Sequence, residues 1–206
     1  MKEQEHYIKA VENNKEKALS YRENFKRYNK AKNSEFYLEC LWILYAMLED
    51  RTSAFLYYLG FTSDSKRTSV TGCKRIKTQI RQIFKMNETN NRYQFDTMFG
   101  KISRMNEIID WSLKDSEGTT DYQNAVKSAV ENISKNNDFL ETLKYLNTEW
   151  RDKRNQLTHA LFNKRPEMVN NELKSLVDKG YTAVRDLDNA VAKLKKEKIR
   201  RRFKIQ

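Results

Sequence analysis

Glycine and proline are scarce in this chain of 206 residues, which contains five glycines and one proline. These numbers are too small to turn many β-hairpins or to build a glycine-rich loop around a dinucleotide. A β-sandwich or β-barrel is therefore not expected. Because 38% of the residues are apolar and 12% are aromatic, the chain is also too hydrophobic to be disordered. We predict an all-α fold, a bundle of long amphipathic helices with shorter helices inserted between them.

Cysteines and long hydrophobic runs are scarce as well. Cys40 and Cys73 are the two cysteines, which offer neither a disulfide framework nor a zinc site, and we expect no cofactor. The apolar stretch at 36–48 is too short to cross about 30 Å of hydrocarbon, so no transmembrane segment is expected. The N-terminal residues lack the apolar core of a secretory signal, and we expect a cytoplasmic protein.

Positive charge is in excess, with 40 lysines and arginines against 28 acidic residues and a formal net charge of +12. This excess favours a polyanionic partner, either nucleic acid or an anionic membrane surface. Eight basic residues and one acidic residue lie in the segment 193–206, which we interpret as a basic C-terminal helix end or tail after a bundle formed by 1–192. Nucleic-acid binding, a solvated helix end and membrane-surface contact are three open interpretations of this segment.

Apolar residues recur at spacings of three, four and seven along most of the chain, which predicts amphipathic helices. The predicted helices cover residues 3–30, 36–60, 73–86, 94–114, 121–134, 138–163 and 166 to the basic terminus. Pro166 suits the first turn of the last helix, and a polar loop is predicted at 61–72. Since no internal repeat or proline-rich linker divides the chain, a single bundle is expected.

The helix predicted at 138–163 contains the candidate site. At about 100° per residue, Arg154 lies at the edge of the apolar stripe, while His159 lies about 140° away with Asn155 beside it. A charge beside the core needs a partner, and Glu39 or Asp50 is a candidate structural partner of Arg154. The separation also indicates that Arg154 and His159 share a site only if the helix is distorted or if two protomers assemble it.

The segment RNQLTH, from Arg154 to His159, resembles the Arg-x(4 to 6)-His motif of the HEPN superfamily, including the polar residue after the arginine. The order of a long apolar helix ending in LEDR before the motif helix is similar to HEPN proteins of bacterial toxin and phage-defence loci. The resemblance implies an all-α bundle, a homodimer or heterodimer whose motif helices meet at the interface, and metal-independent RNA cleavage as in the catalytic branches of the family. It also implies an antitoxin or defence-system partner protein.

RNA cleavage without a metal needs a base for the ribose 2′-OH, an acid for the leaving 5′-oxygen and cations for the charge on phosphorus. Histidine fits either proton-transfer role, and arginine binds phosphate in a fork. We therefore expect His159 to act as acid or base, Arg154 to stabilise the phosphorane and Asn155 to fix the geometry. A dimer interface that includes Arg151, Asn155 and His159 would double this set.

Other cations near the motif and in the C-terminal segment are candidate RNA contacts: Arg151, Lys153, Lys195, Lys196, Arg200, Arg201 and Arg202. An alternative function is a non-catalytic helical module that binds RNA, a nucleotide or a protein through the same interface. A helical adaptor with a membrane-binding tail is a third. RNA cleavage in EDTA separates the first function from the other two.

Overall fold

A computed structural model of the chain describes residues 14–63, 70–84, 95, 97–114, 118–135, 137–161 and 163–205. Its helices, numbered in chain order, are α1 (Asn14–Asn33), α2 (Tyr37–Tyr58), α3 (Lys74–Ile83), α4 (Met98–Ser112), α5 (Asp121–Ser134), α6 (Asn137–Tyr145), α7 (Arg151–Ala160), α8 (Pro166–Glu197) and α9 (Ile199–Phe203). A π-helical turn, Leu146–Trp150, joins α6 to α7. The all-α prediction is confirmed. Within the described ranges, the only β-type pairing is an isolated bridge between Thr62 and Val70.

Helix α2 is the centre of the bundle, as its apolar sequence predicts. It packs most extensively along α8 and also contacts α1 and α4. Leu44, Leu48 and Phe55, spaced by four and seven residues, are completely buried on it. Because this spacing repeats the helical period, the residues form one face toward the core. Trp42 of the same helix is an exception, with 65% of its surface exposed.

The helix starts have local chemical causes. Thr97 and Thr120 are the N-caps of α4 and α5, and their side-chain oxygens accept hydrogen bonds from the amides of Gly100 and Gln123. These bonds satisfy amides that have no partner inside the helix. Pro166 occupies the first position of α8, which confirms its predicted role, because proline lacks the amide hydrogen that would be unpaired there.

The structure departs from the predicted helices in three places. The predicted first helix covered residues 3–30; residues 3–13 lie outside the described residues, and the departure is at its other end, where the helix continues to Asn33. The long helix at 138–163 is interrupted by the π-helical turn. The last helix was predicted to run to the terminus, but α8 ends at Glu197 because Lys198 adopts a left-handed conformation with φ of 52°. The sequence contains no glycine there that would have indicated this break.

Candidate functional site

Residues of the predicted motif line a groove between the first half of α2 and α7. The groove has a volume of about 270 Å³. Its wall is formed by apolar and aromatic side chains of α2 and polar side chains of α7: Leu38, Leu41, Trp42, Tyr45, Arg154, Asn155, Thr158 and His159. We call this cavity the Arg154 groove. It brings together Arg154, Asn155 and His159, the three residues predicted as catalytic.

The four residues of α7 that line this groove are Arg154, Asn155, Thr158 and His159. Helix α7 is α-helical from Arg151 to Ala160, so the helix is not distorted within the motif itself. The angular separation of about 140° expected for five residues therefore holds. Arg154 and His159 nevertheless line the same cavity of a single chain, so the expectation that they share a site only through a distorted helix or a second protomer is wrong.

Arg154 is held by an aromatic ring and by its neighbour in the chain. Its guanidinium carbon lies 4.6 Å from the centroid of the Tyr45 ring. Its Nε and Nη2 atoms donate hydrogen bonds to Oδ1 of Asn155 at 3.2 and 2.7 Å. Within the described part of the chain, these bonds use one edge of the guanidinium and leave Nη1 available to an anion. A planar, pre-oriented guanidinium is well suited to bind a phosphate oxygen.

The aromatic support of Arg154 extends into the core. Trp150 is fully buried, and its Nε1 donates to the carbonyl oxygen of Leu176 at 3.2 Å. The Tyr45 ring lies nearly parallel to the Trp150 ring, at 9° and with centroids 6.4 Å apart. Arg154 therefore rests on a tyrosine that itself packs on an anchored tryptophan. The π-helical turn that ends at Trp150 directly precedes this arrangement, and such turns are frequent at functional sites.

The predicted partners of Arg154 are wrong. Glu39 pairs with Arg27, whose Nε lies 2.5 Å from Oε1 of the carboxylate. The charge of Arg154 is instead accommodated by aromatic faces and an amide oxygen, and its half-buried position requires no carboxylate.

Asp50 also has other partners. Its carboxylate accepts hydrogen bonds from Lys17, Tyr21 and Arg51 at 2.6 to 2.7 Å. Burial raises the pKa of Asp50, but the hydrogen bonds from Lys17 and Tyr21 outweigh it and hold the pKa below its ordinary value. The Asp50 cluster joins α1 to α2, and Arg51 extends it to Asp188 of α8 at 2.7 Å. It is a structural cluster apart from the Arg154 groove.

His159 lies in the last turn of α7, and its side chain is exposed. Its carbonyl oxygen accepts a hydrogen bond from Nδ2 of Asn163 at 3.2 Å. Thr158 is tied to the helix, since its hydroxyl donates to the carbonyl oxygen of Arg154 at 2.8 Å. The imidazole is therefore accessible to a substrate that enters the groove from solvent.

The cations predicted as RNA contacts lie in different places. Arg151 stacks over the Phe99 ring at 4.3 Å and pairs with Asp152 at 2.8 Å, and Lys153 is exposed. Neither residue is among those lining the Arg154 groove. In the C-terminal segment, the structure separates the candidates that line a second cavity, Lys195, Arg200 and Arg201, from Lys196 and Arg202, which do not line it.

Trp42 and Tyr45 were not singled out from the sequence. A signal for Trp42 exists, because it lies about 160° around the helix from the buried Leu44. A tryptophan opposite the core stripe indicates a surface with a further role.

Among the described residues, no three histidine, cysteine, aspartate or glutamate side chains are grouped as metal ligands. The described helices include none whose length and hydropathy would allow it to span a membrane. Comparison with known proteins found no matching family model, curated protein or solved structure, so the assignment of a function depends on the geometry of the Arg154 groove.

Proposed function

We propose that this chain is a metal-independent endoribonuclease of the HEPN type that acts as a homodimer. The observation that carries the proposal is the Arg154 groove, in which the arginine, the polar residue after it and the histidine of the motif line one cavity. The aromatic support of Arg154 adds to it, because a pre-oriented guanidinium is what charge stabilisation in a transition state requires.

The reaction is a transesterification followed by release of two ends. A base removes the proton of the ribose 2′-OH, and the 2′-oxygen attacks the adjacent phosphorus. The bond from phosphorus to the 5′-oxygen then breaks, and an acid donates a proton to that oxygen. The products carry a 2′,3′-cyclic phosphate and a 5′-hydroxyl. Arg154 stabilises the negative charge on the phosphorane through its Nη1 edge, and Asn155 fixes the orientation of the guanidinium.

A homodimer supplies what one chain lacks. The reaction needs a base and an acid, while each chain brings one histidine to the groove. A second copy provides a second His159, so that one imidazole accepts the 2′ proton and the other protonates the leaving oxygen. The exposure of Trp42, at 65%, on the wall of the same groove supports burial of this face against a partner.

The biological setting follows from the resemblance alone. It supports a cytoplasmic toxin or phage-defence ribonuclease that is controlled by an antitoxin or another partner protein of the same system. The alternative, a non-catalytic module that binds RNA, a nucleotide or a protein through the Arg154 groove, predicts binding without turnover.

Incubation of the pure protein with labelled RNA in EDTA tests the proposal. We expect cleavage to continue, to leave 2′,3′-cyclic phosphate ends, and to fall by about 10² to 10⁴ in rate in His159→Ala, because general acid–base help is lost. His159→Ala should fold normally because the side chain is exposed. His6→Ala, which alters the other histidine, is the matched control and should cleave at the parent rate. Cleavage abolished by EDTA, or retained in His159→Ala, contradicts the proposal.

A further inference from the structure

The basic C-terminal segment is attached to the end of α2 by its apolar residues. Leu194, Ile199 and Ile205 are buried. Ile205 lies against Gly60, where a Cβ would come within 2.5 Å of the isoleucine Cδ1 atom, and the φ of 89° at Gly60 is one that glycine adopts readily. These apolar side chains therefore pack on the bundle, whereas the cations of the segment other than Arg200 are exposed.

Arg200 fastens the same segment through its charge. Its Nη1 donates to the carbonyl oxygens of Thr62 and Tyr57 at 2.7 and 3.3 Å. Its guanidinium carbon lies 3.9 Å from the centroid of the Tyr57 ring. Arg200 thus connects α9 to the end of α2 and to the residues that follow it.

Five cations of this segment line a second cavity of about 460 Å³, which we call the basic groove. Its lining is rich in cations and includes two tyrosines: Tyr57, Tyr58, Lys195, Lys198, Arg200, Arg201 and Lys204. Within the described part of the chain, no acidic side chain lines it. Lys195, Lys198, Arg201 and Lys204 are exposed and form no ion pair with a described residue. Such a concentration of unneutralised charge around a concave surface attracts an anion.

The backbone bends the chain around this groove at two of its lysines. Lys198 and Lys204 adopt left-handed conformations, with φ of 52° and 51°, which are unfavourable for residues with a Cβ atom. After the second bend, the amide of Ile205 donates to the carbonyl oxygen of Arg200 at 2.9 Å. The bend at Lys198 separates α8 from α9, and cations of both helices line one cavity.

The burial of Ile199 and Ile205 decides between two anionic partners of the basic groove, a membrane surface and a nucleic-acid strand. Membrane-surface binding by a basic helix relies on apolar side chains that enter the lipid, but Ile199 and Ile205 are buried in the bundle. A nucleic-acid strand needs cations along a groove for its phosphates, and five cations line the basic groove. We infer that the basic groove binds the phosphate backbone of single-stranded RNA.

This groove is separate from the Arg154 groove. On α2, Trp42 lines the Arg154 groove and Tyr57 lines the basic groove. The two residues are fifteen positions apart in the helix, which corresponds to about 23 Å along its axis. A stacked strand covers that distance with about seven nucleotides, at about 3.4 Å each. The basic groove therefore holds long RNA and is out of reach of a shorter RNA that occupies the Arg154 groove. The identity of the anion as RNA rests on the proposed function.

Two matched triple variants test the inference. The groove variant is K195Q/R201Q/K204Q. The control variant is K193Q/K196Q/R202Q. It also removes two lysines and one arginine from this segment, but at positions that do not line the cavity. Binding of single-stranded RNA is measured against salt in the His159→Ala background, which avoids cleavage. Both variants must first show the helical content and melting temperature of the parent.

The groove variant should reduce the magnitude of the slope of log K against log salt by about 2, because each phosphate contact on a single strand contributes about 0.7. This corresponds to about 50-fold weaker binding near 0.15 M salt. The control variant should change the slope by less than half as much. Equal slopes in the two variants, or no change in either, would overturn the inference. The inference would also be overturned if the parent bound phosphatidylserine vesicles and the groove variant lost this vesicle binding while it bound RNA as the parent does.

Cleavage distinguishes this inference from the proposed function. With active protein, the groove variant should raise KM for long RNA without lowering kcat, and it should leave kcat/KM unchanged for RNA shorter than about seven nucleotides. An equal rise in KM for short and long RNA would overturn a separate groove. Failure of the parent to cleave any RNA would contradict the proposed function, whereas a loss of binding confined to the groove variant would still support the basic groove.

Discussion

At the scale of single residues, Arg154 shows how a cation is kept at the edge of a hydrophobic core. Its guanidinium lies on Tyr45 and donates two bonds to Asn155, so its position depends on a flat face and a fork of donors. Lysine has the charge but neither the face nor the fork. The geometry of Arg154 is therefore specific to arginine, and a charge-conserving substitution is informative.

We expect Arg154→Lys to lower the rate of RNA cleavage by about 10²-fold or more, a cost typical of losing one oriented transition-state donor. The measurement is kcat/KM on labelled RNA in EDTA. Arg104→Lys is the matched control, because Arg104 also stacks on an aromatic ring, that of Phe84 at 5.9 Å, and lies outside the Arg154 groove. Parent-like cleavage by Arg154→Lys, or an equal loss in the control, would remove Arg154 from the mechanism.

The sequence predicted Arg154, Asn155 and His159 as site residues, and they line one groove, but it did not predict the contacts of Arg154. Helical periodicity identified the arginine as misplaced for its own helix. Its true support comes from Tyr45, a residue more than a hundred positions away, and no periodicity within one helix reports which face of another helix lies opposite. A carboxylate was the expected partner because charges attract, and an aromatic face serves the same purpose without a second buried charge.

At the scale of helices, the predicted elements agree with the structure where the causes are local. Apolar spacing and Pro166 predicted most boundaries to within a few residues, and the threonine caps seen in the structure are equally local. The π-helical turn and the break at Lys198 have tertiary causes. Trp150 must reach the carbonyl oxygen of Leu176, and Ile205 must reach Gly60. Packing of this kind overrides local propensity, and so the sequence pattern alone did not indicate it.

Gly180, within α8, is a further case of packing that overrides propensity. A Cβ at this position would lie 3.0 Å from Nε1 of Trp150 and 3.3 Å from Cδ1 of Leu44. Alanine is favoured over glycine by about 1 kcal/mol in a helix interior. We nevertheless expect Gly180→Ala to lower the free energy of unfolding by about 1 to 2 kcal/mol, because Trp150 is fully buried and is held by its hydrogen bond to Leu176.

Urea unfolding of Gly180→Ala measures this effect, with Lys174→Ala on the exposed face of α8 as a control that should change stability little. If Gly180→Ala is more stable than the parent, the contact between α8 and Trp150 is looser than its geometry indicates. Because Trp150 supports Tyr45, the same variant should also reduce cleavage, although less than Arg154→Lys does.

At the scale of the whole molecule, α2 connects two sites of different chemistry. Its N-terminal half forms the aromatic wall of the Arg154 groove, and its C-terminal end forms part of the basic groove. The first groove is largely apolar and holds one oriented arginine and one histidine. The second is open and strongly cationic. This division suits a protein that recognises the backbone of a long anion in one place and acts on a single position of it in another.

The exposed face around Trp42 belongs to the same scale, because a dimer would cover it. We expect the parent protein to sediment as a dimer at micromolar concentration and Trp42→Glu to weaken that dimer by about 30-fold or more, as is typical of a buried interface tryptophan. Leu19→Glu is the matched control, since Leu19 of α1 is also exposed, at 53%, and should leave the dimer intact.

The rate of RNA cleavage should be proportional to the concentration of dimer rather than to the total concentration of chains. Trp42→Glu should lose activity at concentrations where it is monomeric and regain part of it when the concentration is raised. The reason is that each dimer combines two His159 side chains, whereas one chain has a single one. A parent that is monomeric at micromolar concentration and still cleaves RNA would show that one histidine is sufficient. In that case the roles of acid and base would have to be divided between His159 and water, and the exposed surface around Trp42 would have to bind a molecule other than a second copy of the chain.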